Sequence, residues 1–265
     1  MSNLALAFTL TLLAGLSTGL GSAIALLAKK TNTSFLAFSL GLSAGVMIYI
    51  SFVEILPDAQ KVLILLHGAK NGKIYTLLAF FSGIALIGII DALIPSEENP
   101  HEVRLVEDIN SEANQKKLMR TGILTAIAIT IHNFPEGLAT FIATISDPNL
   151  GYSVAFAVAI HNIPEGIAVS VPIYYATKSR KKAFWLSFAS GLSEPVGAVL
   201  GYFLIQFFFP GHIMGIVSAM VAGIMVFISL DELLPAAHQY GKHHTSILGV
   251  IIGMAIMAMS LLMFT

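Results

Sequence analysis

Twice the chain contains the motif H-N-x-P-E-G-[LI]-A, first as His132-Asn133-Phe134-Pro135-Glu136-Gly137-Leu138-Ala139 and again as His161-Asn162-Ile163-Pro164-Glu165-Gly166-Ile167-Ala168. Both copies lie in the middle of long apolar runs. A histidine, an amide and a carboxylate inside hydrocarbon are costly, and such residues mark ion or substrate paths in membrane proteins. The repeated motif therefore predicts a metal site near the middle of a bilayer.

The composition of the chain indicates a membrane protein. Apolar residues make up 56% of it and charged residues 11%, whereas soluble domains carry about 25% charged residues. The net charge of -1 disfavours a nucleic-acid partner, and the sequence contains no nucleotide-binding motif. Cysteine is absent, which excludes thiolate zinc sites and cysteine catalysis. The lipid bilayer is therefore the first partner that we expect.

Eight apolar runs are long enough to cross a membrane as helices, which takes about 20 residues each. They lie near residues 4–28, 34–56, 75–94, 121–146, 151–175, 183–209, 212–236 and 245–264. The sequence thus predicts an all-α integral membrane protein of eight transmembrane helices, with residues 1–265 forming one domain. Residues 95–120 are the only long polar segment, and we expect them to form an acidic cytoplasmic loop between the third and fourth helices.

The basic residues predict the orientation of these helices. Eleven of them fall on one side of the predicted membrane: Lys29, Lys30, Arg104, Lys116, Lys117, Arg120, Lys178, Arg180, Lys181, Lys182 and Lys242. The other side receives Lys61, Lys70 and Lys73. Since cytoplasmic loops are enriched in Lys and Arg, the first side is predicted to be cytoplasmic and both termini to lie outside.

A second repeat relates two other helices. The segment from Ala44 to Ala59 matches the segment from Ala222 to Ala237, so predicted helices two and seven are copies. A weaker echo, Gly15-Leu16-Ser17 and Gly191-Leu192-Ser193, joins helices one and six. Helices two and seven run in opposite directions, which predicts an inverted repeat of helices 1–3 and 6–8 around a central hairpin of helices 4 and 5. Such repeats are typical of secondary transporters.

The two motifs are predicted to converge on one ion. His132 and Glu136 are four residues apart and share a helix face, and the second motif repeats this spacing. The link of residues 146–151 is short, so the two helices form an antiparallel hairpin that brings both motifs to similar depth. Glu194, within the sixth helix, is a candidate ligand from a third helix. The predicted metal ligands are His132, Asn133, Glu136, His161, Asn162, Glu165 and Glu194.

Prolines and glycines accompany these ligands. Pro135 and Pro164 cannot donate a backbone hydrogen bond, so each motif helix is expected to bend there. Gly137 and Gly166 permit close approach of a neighbouring helix. Four further Gly-x-x-x-Gly pairs predict helix contacts, either within the chain or between subunits: Gly15/Gly19, Gly41/Gly45, Gly197/Gly201 and Gly249/Gly253.

The ligand types restrict the ion. Imidazole and carboxylate without sulfur suit Zn(II), Fe(II), Mn(II), Co(II) or Cd(II), and the histidines argue against magnesium and calcium. We expect these ions as transported substrates and no separate cofactor. Four further residues are candidates for the route of the ion or of protons: Glu54, Asp231, Glu232 and His238. The alternative is that the acids are helix-end groups meeting interfacial water and that the histidine belongs to a solvated loop.

At these residues the chain resembles the ZIP (Zrt/Irt-like) metal transporters, in particular their bacterial branch of broad-range zinc importers. The resemblance covers the whole chain and implies that the seven predicted ligands occupy the family's metal positions. It also implies that Glu136 and Glu165 bridge two adjacent ions, and that Asp231 and Glu232 serve metal passage to the cytoplasm. Homodimers in the cytoplasmic (inner) membrane and alternating access, with helices 1, 4, 5 and 6 moving against 2, 3, 7 and 8, are further implications.

The chain departs from the resemblance at two places. Some relatives carry an acid where Asn162 stands, and many have a His-rich loop where residues 95–120 are acidic. An intramembrane metalloenzyme, either a protease or a di-metal oxidase, is the main alternative. A zinc protease requires H-E-x-x-H and a di-iron enzyme requires E-x-x-H, and this sequence offers H-x-x-x-E instead. The sequence therefore favours a transporter.

Overall fold

The computed structural model describes residues 2–27, 33–92, 112–207, 210–240 and 243–264, and all regular structure within these ranges is helical. The helices are α1 (Asn3–Leu27), α2 (Thr33–Ile50), α3 (Leu56–Ala92), α4 (Glu112–Ser146), α5 (Pro148–Thr177), α6 (Arg180–Gly191), α7 (Ser193–Phe207), α8 (Pro210–Ile228), α9 (Leu234–Tyr240) and α10 (His243–Phe264). Two π-helical turns, Ser51–Ile55 and Ser229–Leu233, connect α2 to α3 and α8 to α9.

The arrangement of apolar side chains confirms the expectation of an all-α multi-pass membrane protein. Six helical stretches in the described part of the chain are long and apolar enough to cross a bilayer: Asn3–Leu27, Ser34–Ala92, Pro148–Thr177, Arg180–Phe203, Met214–His238 and His244–Met263. Many large apolar side chains lie on the outer surface, among them Leu65, Phe81, Phe207 and Leu262. The interior, by contrast, holds carboxylates and amides. This distribution fits a lipid environment, because water would not favour it.

The chain between predicted helices two and three differs from the expectation. Residues 57–74 were expected to connect two spans, yet α3 is helical from Leu56 and bends at Gly68, which has φ 78° and ψ 164°. A Cβ atom on Gly72 would lie 2.5 Å from Cα of Ile64, so the chain folds back on itself around Gly68. Glycine permits this conformation because it has no Cβ. Hydropathy missed the helical residues because Asp58, Lys61 and Lys70 make this stretch polar.

Two other helix boundaries also differ from the prediction. Helix α4 begins at Glu112 rather than near 121, so the last part of the predicted loop, residues 112–120, is helical, while residues 95–111 lie outside the described residues. Lys, Gln and Met are good helix formers, and a polar helix gives no hydropathy signal. The predicted span 183–209 is divided at Leu192 into α6 and α7. Pro195 cannot donate to the carbonyl of Gly191, which accounts for the interruption.

The two π-helical turns occupy matching places in the second repeat. Ser51–Ile55 contains Glu54 and Ser229–Leu233 contains Glu232, and a proline, Pro57 or Pro235, follows each turn by two residues. Because a proline has no N–H for the carbonyl four residues earlier, the regular helical ladder is already broken at this point. Single π-helical turns frequently mark functional positions.

Helix α5, which carries the second motif, lies at the centre of the bundle. It packs against α1 on one side and α4 on another, while α3 pairs with α8, α2 with α10, and α4 with α7. The largest apolar cluster surrounds it and includes Met47, Ile50, Val158, Met225 and Met257. The motif is therefore held inside the protein, away from the lipid-facing surface.

Glycines set the closest helix contacts. Gly83 and Gly223 form one reciprocal pair, since their Cβ atoms would lie 2.0 Å from the carbonyl oxygens of Met220 and Phe80 respectively. All four predicted Gly-x-x-x-Gly pairs also face neighbouring helices of the same chain: Gly15 and Gly19 face α6, Gly41 and Gly45 face α10, Gly197 and Gly201 face α4, and Gly249 and Gly253 face α2. The prediction of helix contacts is confirmed, and these contacts are internal.

Candidate metal centre

His161 is the hub that joins the two motif helices. Its Nε2 lies 2.9 Å from Oε2 of Glu136 on α4 and 3.5 Å from Oε1 of Glu165, one turn away on α5. The side chains of His161 and Glu136 are completely buried, and that of Glu165 is nearly so. The hairpin is tight, because Asp147 alone separates α4 from α5 and its side chain accepts a hydrogen bond from the Asn149 N–H at 2.8 Å. The two motifs therefore meet at one depth.

Asn133 extends this cluster on the α4 side. With its amide oriented to satisfy both atoms, Nδ2 donates to Oε2 of Glu165 at 3.1 Å and to the carbonyl of Ile129 at 3.3 Å. Both carboxylate oxygens of Glu165 are thus engaged, one by each motif. The amide of Asn133 is fully buried, so the hydrogen bond is shielded from water.

Asn162 connects the cluster to two further helices. Its Nδ2 donates to Oε1 of Glu194 on α7 and to the carbonyl oxygen of Ala14 on α1, the latter at 2.9 Å. Its Oδ1 has no hydrogen-bond donor among the described residues. Asn162 and Glu194 are both fully buried. The structure therefore gathers six of the seven predicted ligands into one cluster, namely Asn133, Glu136, His161, Asn162, Glu165 and Glu194.

The glycine after each motif glutamate explains how neighbouring helices come so close. A Cβ atom on Gly137 would lie 2.0 Å from the carbonyl oxygen of Glu194, and one on Gly166 would lie 2.0 Å from that of Thr18. Any larger residue would push α7 or α1 away. The same short motif thus supplies the polar side chains and the packing surface that brings Glu194 to them.

The fate of the other predicted site residues is mixed. His132 lies on α4, but its side chain is outside the described residues. Glu232 is buried and Glu54 partly buried, each within a π-helical turn, whereas Asp231 and His238 are exposed. Glu54, Asp231, Glu232 and His238 lie on other helical segments than the cluster residues.

Sequence reasoning missed the contribution of α1. The carbonyl of Ala14 accepts from Asn162, and the hydroxyls of Ser22 and Ser187 lie 2.5 Å apart, both within 3.2 Å of the Gly166 carbonyl. The sequence repeat of Gly15-Leu16-Ser17 and Gly191-Leu192-Ser193 could have indicated this contribution. When the repeat is extended by one residue, Thr18 aligns with Glu194.

The charges of the cluster favour a cation. Glu136, Glu165 and Glu194 are three buried carboxylates beside one histidine, while every Lys and Arg whose side chain is described is exposed. Buried carboxylates stay ionised only where positive charge compensates them, and a bound cation would supply that charge. Within the described residues, no three His, Asp or Glu side chains are spaced as a metal-ligand set. Nε2 of His161 contacts the carboxylates of Glu136 and Glu165 themselves. An ion would replace these contacts by bonds to the same atoms.

The fold and the site together define a multi-pass membrane protein with buried imidazole, amide and carboxylate groups at the centre of its helical bundle. Residues 94–261 match the ZIP zinc transporter family. The zinc transporter ZupT of Chlorobium chlorochromatii is 61% identical over 265 residues, with 99% of each chain covered. The proteins of the same name from Streptococcus mutans and Clostridium perfringens are 62% identical over 258 residues and 56% identical over 278, covering 97% and 100% of this chain and 97% and 98% of theirs.

The chain therefore belongs to the ZIP zinc transporter family, as the resemblance predicted. It is a transporter, and the alternative of an intramembrane metalloenzyme is excluded.

Proposed function

We propose that this protein imports divalent transition-metal ions, zinc first, through the buried cluster around His161. The observation that carries the proposal is the meeting of His161, Glu136 and Glu165 from two helices inside the bundle. Its full-length relatives are named zinc transporters, which supports zinc as the substrate. Nitrogen and oxygen donors without sulfur also suit Fe(II), Mn(II), Co(II) and Cd(II), so we include these ions.

The proposed ligands divide into three groups. His132 and His161 would supply nitrogen, Glu136, Glu165 and Glu194 would supply charge, and the two asparagines would supply neutral oxygen. Oδ1 of Asn162 has no donor among the described residues, which supports such a role, because a buried acceptor without a donor is otherwise unfavourable. Glu165 contacts His161 with one oxygen and Asn133 with the other, and this two-sided contact supports the proposal that it bridges two adjacent ions together with Glu136.

We propose eight membrane spans in a single domain of residues 1–265, with the acidic segment 95–120 on the cytoplasmic side. As a straight helix, the 59-residue stretch Ser34–Ala92 would be about 90 Å long, three times the hydrocarbon thickness. The bend at Gly68 divides it into two spans. Helix α4 adds one to the other candidates. The distribution of Lys and Arg supports cytoplasmic loops on the side of residues 178–182, with both termini outside.

Glycine contacts at equivalent positions of the two repeats support the inverted repeat. A Cβ atom on Gly21 of α1 would lie 2.0 Å from the carbonyl of Ile163, and one on Gly197 of α7 would lie 2.2 Å from that of Phe134. Ile163 and Phe134 are equivalent positions of the two motifs. The contact of α1 with α5 therefore corresponds to that of α7 with α4.

The repeat in turn supports alternating access. One half of the bundle, α1, α4, α5, α6 and α7, holds the cluster, and the other half contains the pairs of α2 with α10 and α3 with α8. Movement of one half against the other would expose the ion to each side in turn. A membrane potential of 100 mV favours inward movement of two charges by about 4.6 kcal/mol, so uptake needs no ATP.

Outside the cluster, we propose that Glu54, Asp231, Glu232 and His238 line the route. Glu54 and Glu232 occupy equivalent positions of the repeat, each in a π-helical turn. An arrangement of this kind gives one carboxylate toward each side of the membrane. Homodimers in the cytoplasmic membrane are proposed from the family resemblance.

Uptake into liposomes tests the proposal. Purified protein should accumulate radioactive zinc, and Glu136→Gln with Glu165→Gln should abolish uptake while preserving side-chain volume. A matched control removes two carboxylates from the acidic segment, Glu97→Gln with Glu98→Gln, and should retain uptake. Zinc flux at the wild-type rate in the first double variant would refute the proposed site.

A further inference from the structure

Four cationic side chains crowd the link segment Lys178–Lys182, which joins α5 to α6 and includes the first three residues of α6. They are Lys178, Arg180, Lys181 and Lys182, and all four are exposed. The backbone of the link is ordered by two caps. Lys178 takes a left-handed conformation with φ 53° and donates its N–H to the carbonyl of Tyr174 at 2.7 Å, and Oγ of Ser179 accepts from the Lys182 N–H at 3.3 Å. The four charges are therefore presented from a fixed turn.

These charges have no acidic partner among the residues that the structure describes. One of the charged groups contacts an aromatic ring: Nζ of Lys178 lies 5.5 Å from the centroid of the Tyr175 ring. Four like charges within five residues repel one another unless anions neutralise them. The patch thus calls for an anionic partner from outside the described chain.

Aromatic side chains place this patch at the membrane surface. Trp185 follows Lys181 by four residues and Lys182 by three, so all three share one face of α6. Its indole is 54% exposed and packs edge-on against Phe188, with ring centroids 5.5 Å apart. Tryptophan with neighbouring tyrosines is typical of the headgroup region of a bilayer, and Tyr174 and Tyr175 lie in the last turn of α5.

We propose that the link Lys178–Lys182 binds the headgroups of anionic phospholipids in the adjoining leaflet. A cluster of Lys and Arg directly beside a membrane span attracts anionic lipid, and the guanidinium of Arg180 can bind a phosphate through two parallel hydrogen bonds. Buried Ile173 and Ala183 flank the link and pack into one cluster with Leu26 and Ile129, so the bound headgroup is connected to α1 and α4. Lipid would thereby stabilise the helices that carry the ion cluster.

The inference needs only the membrane embedding of the chain, so it stands or falls independently of the proposed ion route. Trp185 is the only tryptophan, which makes its fluorescence a direct reporter of the patch. The intact protein is reconstituted in phosphatidylcholine vesicles that contain the same mole fraction of either brominated phosphatidylglycerol or brominated phosphatidylcholine. We expect the anionic brominated lipid to quench Trp185 more strongly.

A variant with Lys178→Gln, Arg180→Gln, Lys181→Gln and Lys182→Gln should lose this preference, so that both lipids quench equally. The matched control, Lys70→Gln with Lys73→Gln, removes exposed cations elsewhere and should keep it. Equal quenching by the two lipids in the wild-type protein would overturn the proposal, and that result does not depend on whether the variant folds. Survival of the preference in the fourfold variant would also overturn it. If inorganic phosphate, added at the same concentration as the phosphatidylglycerol, abolished the stronger quenching by that lipid, the patch would be assigned to free phosphate instead.

Discussion

Nε2 of His161 lies 2.9 Å from Oε2 of Glu136, and this contact links α4 to α5 at the centre of the bundle. The same nitrogen faces Glu165 on its own helix, so one imidazole is shared by two carboxylates. A divalent ion entering between them would meet one nitrogen and two anionic oxygens in place.

Replacing the hub should remove zinc binding. In His161→Gln the imidazole nitrogen is lost, and we expect zinc affinity to fall by at least about tenfold, since even groups that only orient a ligand contribute that much. Competition with a fluorescent zinc chelator measures the affinity in purified protein. His244→Gln, on the exposed surface of α10, is the matched control. Unchanged affinity in His161→Gln would place the ion elsewhere.

Glu194→Gln separates charge from structure at the third helix. The glutamine retains an oxygen that accepts from Nδ2 of Asn162, so the melting temperature should stay close to that of the wild type. Zinc uptake should fall strongly, because one of three anionic groups is removed. Thermal unfolding and radioactive uptake are measured on the same preparation. Full uptake with a normal melting temperature would show that Glu194 serves packing alone.

The motif glycines should tolerate no side chain. In Gly137→Ala and Gly166→Ala the new methyl group would lie 2.0 Å from a backbone carbonyl oxygen, so the neighbouring helix must shift. Overpacking of this kind costs about 1–3 kcal/mol, and we expect a lower melting temperature together with lost uptake. Gly88→Ala is the control, because its methyl group would meet the ring edge of Phe227 at 3.2 Å. Equal stability of all three variants would contradict the packing described above.

Uptake should weaken in acid. Metal binds neutral imidazole and ionised carboxylate, so protons compete with the ion for the same atoms. The KM for zinc should therefore rise as the outside pH falls, by up to about tenfold per pH unit for each proton displaced. Initial rates in liposomes with buffered interiors measure this dependence. A KM that stays constant as the outside pH falls would contradict competition between protons and the ion for these atoms.

Competition among metals should follow ligand chemistry. Cd(II), Co(II), Fe(II) and Mn(II) accept nitrogen and oxygen donors and should each inhibit radioactive zinc uptake. Mg(II) and Ca(II) prefer oxygen ligands alone and should not inhibit at equal concentration. The order of inhibition by these four metals then gives the selectivity of the site relative to zinc. Strong inhibition by Mg(II) would indicate an all-oxygen site without the histidines.

Much of the fold was predictable because lipid imposes simple rules. The hydropathy of the chain located the apolar helices, and the doubled motif indicated a hairpin whose polar residues meet, as Glu136 and His161 do. Residues 57–67 and 112–120 escaped prediction because helices that leave the apolar core carry polar residues. Hydropathy indicates which residues lie in the apolar part of the membrane. The backbone hydrogen bonds of a helix continue beyond that part, so the helix is longer than its apolar run.

The sequence by itself determined the chemistry: which side chains enter the membrane, at what spacing, and with which prolines and glycines beside them. The tertiary structure alone decided which of these groups touch. It placed Ala14 of α1 against Asn162, set Glu194 beside the same amide, and brought the hydroxyls of Ser22 and Ser187 together across α1 and α6. The reason is physical. The spacing of residues along one helix determines which of them share a face of that helix. Contacts between helices depend on how closely their backbones approach. Here that distance is set by glycines that lie against backbone carbonyl oxygens of the neighbouring helix.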